Sequence, residues 1–357
     1  MNIPLIQIGS VLLCLVAGGA IFLLLLNRVL IVLRDGRAKV PTIIASFVVI
    51  VVASVSYGFL FYQPPWVFLA PAVLALGLLG ECHRLFIRFK CVGSAPIDTV
   101  PHKFNLISPV TTMDIVTHRY CVPHAKWRGK KLRIVHLSDL HVHPNMPLEY
   151  YQEVIATAEE SKPDIAIFTG DFISKIGALP LLEKVLRPIA KHKTYAVLGN
   201  HDYWIDTDGV RKIIRECGLH LLTNESDLMQ FGQNKIAVTG YDYPWGTKQQ
   251  SISPQEDNIL HVVLSHTPDN IYRAAKVSAD FVFSGHYHAG QIRIPVIGPL
   301  VVPSLYGRRF DHGHFVVKNT NLFVASGVGV ADPIIRIFCQ PDIFVVDVEE
   351  IKKNEMR

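Results

Sequence analysis

The fold of this chain is decided by residues 132–141, LRIVHLSDLH. The first six of these residues are mostly apolar and predict a buried strand, and Asp139 and His141 follow as soon as that strand ends. The pattern returns further along, where a predicted strand over Ile165–Thr169 is followed at once by Asp171. A buried strand that ends in a loop with chemically active side chains is typical of the functional edge of an α/β sheet.

Helical segments separate the early strands, and strands dominate the later part of the chain. Apolar periodicity predicts helices at Leu148–Glu160, Leu181–Arg187 and Val210–Cys217. The predicted strands are Leu132–Leu137, Ile165–Thr169, Tyr195–Leu198, Ile236–Gly240, Leu260–Ser265, Phe281–Ser284, Phe315–Lys318, Leu322–Ala325 and Ile343–Val348. A chain that is helix-rich early and strand-rich late fits an α/β fold with two packed sheets and helices outside.

Five short segments share one arrangement, in which metal-compatible side chains follow an apolar strand. They are Asp139-Leu-His141, Gly170-Asp171, Gly199-Asn-His-Asp202, Ser265-His266 and Gly285-His-Tyr-His-Ala-Gly290. Loops just past the carboxyl ends of strands converge on one crevice, so these segments can form a single site. Histidine and carboxylate ligands together suit borderline divalent ions such as Mn, Fe(II) or Zn, and none of the segments contains cysteine.

Taken singly, several of these segments have simpler interpretations. Asp171 after a glycine could be a turn residue or a helix N-cap, and His266 could be a hydrogen-bonded core histidine. Residues 199–202 are more specific, because an amide, an imidazole and a carboxylate stand on consecutive turn residues. His286 and His288 are alternate residues of an extended segment, which places both imidazoles on one side.

The five segments, in this order, resemble the signature of the calcineurin-like metallophosphoesterase superfamily. The resemblance covers roughly residues 115–350. Within the family, the chain resembles the membrane-anchored bacterial branch, as the segments Arg308-x-Phe-Asp-x-Gly313 and Arg336–Ile343 also indicate. The resemblance implies a four-layer αββα sandwich. It also implies a hydrolase for phosphodiester or pyrophosphate bonds.

The resemblance further implies two divalent metal ions, with manganese the expected species and iron or zinc as alternatives. One ion is assigned to Asp139, His141, Asp171 and His288, and the other to Asp171, Asn200, His266 and His286. Asp171 would bridge the two ions. A bridging hydroxide would then attack phosphorus in line with the leaving group.

His201 and Asp202 are the expected catalytic pair, because this assignment leaves both without a metal. His201 would protonate the departing group, and Asp202 would orient the imidazole and hold it charged. A purely supporting role for His201 is the alternative. Arg308, Arg309 and Arg336 are candidates either for contacts with anionic substrate groups or for structural roles, and Trp204 and Trp245 either line the crevice or pack.

The N-terminal part of the chain predicts a membrane anchor over residues 1–92. No charge occurs between Ile3 and Asn27 or between Val40 and Gly80, and apolar runs of about 20 residues match a bilayer core. The predicted spans are 3–26, 42–61 and 66–86. The third is short, so two spans with a re-entrant segment are an alternative. A cleaved signal peptide fits poorly, because a second long apolar run follows the first.

Charge is concentrated in the anchor. Residues 1–97 carry seven Lys/Arg against two acidic residues, whereas the remainder carries 28 of each sign. With three spans, the positive-inside rule places the catalytic domain in the cytoplasm, on the inner membrane of the cell. A neutral domain lacks the basic stripe of a nucleic-acid binder, so no nucleic-acid partner is expected. Six cysteines without paired spacing indicate reduced thiols.

These observations divide the chain into the anchor, a linker at 93–110 and a catalytic domain at 111–357. The expected partners are the lipid bilayer and a lipid-linked phosphate or pyrophosphate substrate, since an anchored enzyme gains most from a substrate in the same membrane. UDP-2,3-diacylglucosamine is a concrete candidate, because some anchored members of the family resemble its pyrophosphatase. The alternatives are a broad phosphodiesterase for soluble nucleotides and a catalytically inactive membrane scaffold.

Overall fold

The computed structural model describes residues 4–31, 33, 38–101, 107–246 and 252–351. These residues form two compact units. One unit comprises Met1–Lys90 with Leu300–Arg309, and the other comprises Cys91–Pro299 with Phe310–Arg357. Three charged residues of the expected topology signal, Arg34, Asp35 and Arg37, lie outside the described residues.

The described residues of the first unit form three long apolar helices. They are α1 at Leu5–Leu25, which a π-helical turn extends to Leu30, α2 at Lys39–Leu60, and α3 at Leu69–Cys91, which a 3-10 turn at Trp66–Phe68 precedes. Each helix is long and apolar enough to cross a membrane. The third reaches Cys91 and is therefore longer than the expected span at 66–86.

The helical unit also holds the short segment Leu300–Arg309 through polar contacts. Asn27 donates from Nδ2 to the Leu300 carbonyl at 2.8 Å, and its Oδ1 accepts from the Val302 amide at 3.1 Å. Arg28 donates to the Leu305 carbonyl at 2.8 Å. Backbone groups of the segment, which lack partners in a regular ladder, are thus satisfied by side chains at the end of α1.

A charged cluster on α3 holds the far end of the same segment. Glu81 accepts from Arg84 at 2.8 Å and from Arg308 at 2.6 Å, and Arg88 donates to the Arg309 carbonyl at 3.0 Å. Of the two roles considered for Arg308 and Arg309, substrate contact and structural support, these contacts match structural support. Charges on an otherwise apolar helix are tolerated here because they are paired.

The second unit is built on two large sheets and one hairpin. Its strands are β1 Asp98–Val100, β2 Val116–His124, β3 Leu132–Leu137, β4 Ile165–Phe168, β5 Lys193–Ala196, β6 His220–Leu221, β7 Ser226–Phe231, β8 Asn234–Gly240, β9 Ile259–Leu264, β10 Phe281–Ser284, β11 Arg293–Ile294, β12 Gly298–Pro299, β13 Gly313–Val317, β14 Thr320–Val324 and β15 Asp342–Glu350. Its helices are α4 Leu148–Glu160, α5 Leu179–Leu186, α6 Asn200–Ile205, α7 Thr207–Glu216 and α8 Ile271–Lys276.

The first sheet has the order β1-β2-β15-β3-β4-β5-β6, and the second has the order β13-β14-β10-β9-β8-β7. Strands β3 to β6 are parallel, as are β8, β9, β10 and β14. Apolar side chains of both sheets face each other in one core, which includes Trp127, Phe283 and Phe344. A second core lies between the first sheet and α4, α5 and α7, and α8 packs against β13 and β14. The predicted α/β layers are confirmed.

Residues 98–100 differ from the expectation for a linker at 93–110. They form the edge strand β1, with Thr99 paired to His118 in antiparallel register. Threonine and valine favour extended backbone, and β2 offers an unpaired edge on that side. The residues at 102–106, also within the expected linker, lie outside the described residues.

Candidate active site

The candidate active site is formed by loops that follow five strands of the two sheets. Asp139 and His141 follow β3, Asp171 follows β4, Asn200 begins α6 after β5, His266 follows β9, and His286 and His288 follow β10. Backbone bonds join these loops, from the Asp139 amide to the Gly170 carbonyl at 2.9 Å and from the Gly285 amide to the His266 carbonyl at 3.0 Å. Segments far apart in sequence therefore meet at the carboxyl ends of these strands.

The first group of ligand-type side chains consists of Asp139, His141, Asp171 and His288. One ligand atom from each lies within 4.8 Å of the others, and all four residues are buried. His141 Nε2 lies 3.0 Å from His288 Nε2 and 3.4 Å from Asp171 Oδ2, and His288 Nε2 lies 3.4 Å from Asp139 Oδ1. This is the set that the resemblance assigns to one ion.

The second group consists of Asp171, His266 and His286, whose ligand atoms also lie within 4.8 Å of one another. His266 Nε2 lies 3.2 Å from Asp171 Oδ2 and 3.1 Å from Asn200 Oδ1. The same oxygen of Asp171 thus faces both groups, while its Oδ1 accepts from the His201 amide at 2.8 Å. All seven side chains expected from the sequence lie together.

Five of these seven residues have backbone in the left-handed region. The φ angles are 51° for Asp139, 41° for His141, 56° for Asp171, 69° for His286 and 47° for His288. Residues other than glycine rarely adopt such angles, and they persist where the surrounding structure fixes them, often at functional sites. Gly170 contributes to this packing, because a Cβ there would lie 2.7 Å from the Gly199 Cα.

Two imidazoles are oriented by groups behind them. His266 Nδ1 lies 2.6 Å from the Thr169 carbonyl, so Nδ1 donates to that carbonyl and Nε2 faces the site. His141 Nδ1 lies 2.9 Å from Ser174 Oγ. Such partners fix the tautomer that a metal-binding histidine requires. Nothing in the sequence around Ser174 indicates this role, because it depends on the crossing of two loops.

Burial and neighbouring charges perturb the ionisation of the site. Burial lowers the pKa of His286 and His288 well below the usual range, which leaves neutral imidazoles. Burial opposes ionisation of Asp171, yet the neighbouring histidines hold its pKa well below the ordinary value. Burial lowers the pKa of His266, but the carboxylates of Asp171 and Asp139 outweigh it and raise that pKa to about 9. The carboxylates of the site thus stabilise a positive charge on His266.

The donor set fits divalent cations. The Nε2 atoms of His141 and His288 lie 3.0 Å apart, so without a cation one ring must donate to the other and only one keeps its lone pair. Burial raises the pKa of Asp139, whereas that of Asp171 is lowered, so two nearby carboxyl groups compete for one proton. Cations among these atoms would remove both conflicts. The residues that would hold them are those of the two groups described above.

His201 lies at the open side of these groups. It is half-buried, and its ring lies 4.6 Å from the His141 ring and 5.4 Å from the Trp204 ring, measured between centroids. Trp245 lies against His286 at 4.8 Å in the same way. The two tryptophans therefore contact histidines of the site, and the imidazole of His201 is only half-buried.

Asp202 has a different role from the one expected. Its Oδ2 accepts from the backbone amides of Gly199 and Asp171 at 2.9 Å each, and its Oδ1 accepts from Phe172 at 2.8 Å. Burial raises its pKa to about 7. Asp202 thus fixes the loops that carry the ligands, because both oxygens bind backbone amides, and the expected pairing with the His201 imidazole is corrected.

Arg336 is also structural in this arrangement. Its guanidinium is fully buried and donates to the carbonyls of Ser326, Gly327 and Gly329 at 2.8, 2.9 and 2.5 Å. It joins the loop after β14 to the region behind His288, where Nη2 lies 3.4 Å from His288 Nδ1. Buried in this way, the arginine is directed at backbone rather than at a substrate phosphate.

A family model for the calcineurin-like phosphoesterases matches residues 132–290, which include every ligand-type residue described above. The uncharacterised metallophosphoesterase YkoQ of Bacillus subtilis is 30% identical over 225 residues, which cover 60% of this chain and 82% of that protein. The chain belongs to the calcineurin-like phosphoesterase family. The family uses divalent metals, and this member is a metal-dependent phosphoric ester hydrolase.

Two further relatives of this phosphoesterase match a similar share of the chain. The uncharacterised metallophosphoesterase YkuE of Bacillus subtilis is 29% identical over 225 residues, covering 60% of this chain and 77% of its own. The phosphodiesterase YaeI of Escherichia coli is 25% identical over 241 residues, covering 66% and 88% respectively. The phosphoesterase domain is thus matched over most of the length of these relatives.

Proposed function

We propose that this chain is a membrane-anchored phosphoesterase that hydrolyses a phosphodiester or pyrophosphate bond of a lipid-linked substrate on the cytoplasmic side of the inner membrane. UDP-2,3-diacylglucosamine is the candidate substrate. The two groups of ligands would hold two divalent ions, with manganese preferred. One observation carries the proposal, namely an apolar hairpin that directly follows the last ligand loop.

That hairpin is the apolar loop, residues 292–299, which contains β11 and β12. Its four aliphatic side chains point to solvent, with exposed fractions of 42% for Ile292, 39% for Ile294, 108% for Val296 and 58% for Ile297. Exposed apolar patches of this kind mark membrane or protein interaction sites. The same chain carries three helices able to cross a bilayer, which favours lipid as the partner.

The apolar loop is tied to the ligand loop that precedes it. Arg293 donates from Nη1 to the Ala289 carbonyl at 2.8 Å and to Asp311 at 3.0 Å. Ala289 follows His288 directly, so the apolar loop is attached to the backbone beside a ligand. A substrate whose acyl chain contacts Val296 and Ile297 would place its phosphate headgroup toward the ligands. This arrangement supports a substrate with both an acyl part and a phosphate part.

The chemistry follows from the side chains on the open side of the site. Bound divalent ions would supply an activated water and withdraw charge from the phosphoryl oxygens. His201 is positioned to give a proton to the departing oxygen, since it is half-buried and lies beside His141. Asp202 and Arg336 hold the loops, and Trp245 limits access of water beside His286.

A broad phosphodiesterase for soluble nucleotides is the second candidate, and the name of YaeI as a phosphodiesterase favours it. Such an enzyme needs no exposed apolar surface beside its ligands. The two candidates therefore differ in whether the apolar loop contributes to turnover.

The test uses full-length protein in detergent micelles with Mn²⁺ and two substrates, bis-p-nitrophenyl phosphate and UDP-2,3-diacylglucosamine. Wild type is compared with Asp171→Asn and with Val296→Asp/Ile297→Asp. We expect Asp171→Asn to lose turnover of both substrates. The apolar-loop variant should lose at least tenfold in kcat/KM for the lipid substrate and keep its rate on the small diester.

Two results would contradict the proposal. Equal rates of wild type and the apolar-loop variant on the lipid substrate would remove the role of the loop and favour the soluble nucleotide alternative. Turnover that survives in Asp171→Asn would remove the assigned ligands altogether. Lys318→Asp, a charge change at an exposed turn of the same unit, is the control for general surface effects.

A further inference from the structure

Among the described residues, a third group of metal-compatible side chains contains none of the ligand-type residues of the active site. His118 lies on β2, His312 directly precedes β13, and Asp342 begins β15. One ligand atom from each lies within 4.8 Å of the others, and we call these three residues the edge cluster. Because β2 and β15 belong to the first sheet and β13 to the second, the edge cluster joins the two sheets.

Asp342 supplies a buried anionic oxygen to the edge cluster. Its side chain is 1% exposed, and Oδ1 accepts from the Ser326 amide at 2.9 Å. The other oxygen, Oδ2, lies 2.5 Å from His312 Nε2. Asp342 therefore presents one oxygen, Oδ2, to the two histidines, while Oδ1 is held by backbone.

His118 supplies an imidazole. Its Nδ1 lies 2.9 Å from Thr99 Oγ1, and its Nε2 lies 3.9 Å from Asp342 Oδ2. At 3.9 Å, Nε2 faces the Asp342 oxygen without a hydrogen bond to it, which leaves space for an ion between the two atoms.

We propose that the edge cluster is a cation site for one zinc-class divalent ion, held by His118 Nε2, His312 Nε2 and Asp342 Oδ2 and completed by water. Two imidazoles and one carboxylate are a common donor set for such ions. Ligand atoms of a tetrahedral zinc ion lie about 3.3 Å apart. The distances of 2.5 and 3.9 Å from Asp342 Oδ2 lie on either side of that value.

The surroundings of the edge cluster fit a bound ion. The Phe344 ring lies 5.7 Å from the His118 ring and 5.8 Å from the His312 ring, so one side is apolar. The side chains of His118 and His312 are 16% and 28% exposed, which leaves an entry path and room for water. The ion would join β2 and β15 of the first sheet to the start of β13, the edge strand of the second sheet. A simple ion pair of His312 with Asp342 is the competing account.

The experiment counts bound metal in full-length protein in detergent. The protein is stripped with a chelator, reloaded with Co²⁺, and freed of excess metal by gel filtration. Cobalt is measured by elemental mass spectrometry and by its visible absorption. Wild type is compared with His118→Gln, His312→Gln and the matched control His124→Gln, which removes another β2 imidazole, one that lies 3.4 Å from Asp280.

We expect His118→Gln and His312→Gln each to hold one equivalent of cobalt fewer than wild type, and His124→Gln to match wild type. The d–d absorption lost with His312→Gln should survive in Asp171→Asn, which loses turnover instead. Equal cobalt content in wild type, His118→Gln and His312→Gln, with far-UV circular dichroism unchanged, would overturn the site. A loss shared by His124→Gln would overturn it as well.

Discussion

Individual residues of the active site combine ligand-type side chains with unusual backbone. A left-handed conformation costs a residue other than glycine roughly 1–2 kcal/mol, and five residues of this site adopt it. The crossed loops after β3, β4 and β10 hold them there. Strain of this kind fixes side-chain direction before a ligand arrives, which reduces the reorganisation that binding requires.

Asp139→Asn should change stability in opposite directions with and without metal. In chelator, wild type keeps two buried carboxyl groups close together, and burial raises the pKa of Asp139, so the neutral amide should melt at a higher temperature. In Mn²⁺, wild type should melt higher, because binding at 100 times Kd contributes about 2.7 kcal/mol. Melting of the full-length protein measures both. A variant that melts at least as high as wild type in Mn²⁺ would contradict the assignment of Asp139 as a ligand.

His201→Asn should leave metal content intact and lower kcat by about 10²–10⁴-fold, the usual contribution of a general acid. The asparagine keeps the backbone amide that donates to Asp171, so the ligands stay in place. Metal analysis and turnover of bis-p-nitrophenyl phosphate are measured on the same sample. Unchanged turnover would show that His201 only supports the site.

The ligand positions could be predicted from the sequence because each stands directly after an apolar strand. The function of Asp202 could not, since its carboxylate binds the amides of Gly199, Asp171 and Phe172, and two of these belong to another loop. The sequence pattern does not show which backbone amides and carbonyls lie near a side chain in the folded protein. Arg336 is hidden for the same reason, because its partners are carbonyls.

At the scale of helices and strands, buried segments were predictable and mixed ones were not. The strand at Leu132–Leu137 and the helix at Leu148–Glu160 have the predicted bounds. Strand β2 contains His118, Arg119 and His124 among its apolar residues, so its alternation is masked. Strand β7 lies at a sheet edge, where half of its side chains face solvent, and apolar content alone does not reveal it.

Strand β9 contains a histidine whose burial makes folding dependent on pH. His261 is 1% exposed, its Nε2 lies 3.0 Å from Thr239 Oγ1, and burial lowers its pKa to about 4. The unfolded chain, with an ordinary pKa near 6.5, therefore binds more protons than the folded protein between about pH 4 and 6.5. Its stabilising contribution is complete above pH 6.5 and is lost as the pH falls through this window.

His261→Asn should therefore flatten the fall of melting temperature between pH 6.5 and 4. The contribution removed is of the order of 3 kcal/mol, at about 1.4 kcal/mol per pKa unit. Thermal melts of full-length protein in chelator at pH 4 to 7 measure the slope, and His220→Asn, a change at an exposed residue of β6, is the control. Equal slopes for wild type and His261→Asn would contradict the prediction.

The whole molecule combines three apolar helices with one phosphoesterase unit. The positive residues that flank the helices predict that this unit faces the cytoplasm. A green fluorescent protein fused after Arg357 should then fluoresce, and an alkaline phosphatase fused at the same position should be inactive in a bacterial host. Fusions after Gln63, beyond α2, should give the opposite result. Active alkaline phosphatase after Arg357 would reverse the proposed topology.

One feature of the whole chain has no signal in the sequence. Leu300–Arg309 belongs to the helical unit, although the residues on both sides of it belong to the phosphoesterase unit. The chain therefore passes between the two units three times. The first 90 residues form only part of the helical unit, so their removal leaves that unit incomplete. A protein that begins at Cys91 would keep Leu305 and Arg308 but lose their partners Arg28 and Glu81. We expect it to aggregate, because the segment 300–309 would then be exposed. In evolution, an exchange of anchors between relatives would succeed only where the ten residues from 300 onward were inherited with the helices they match.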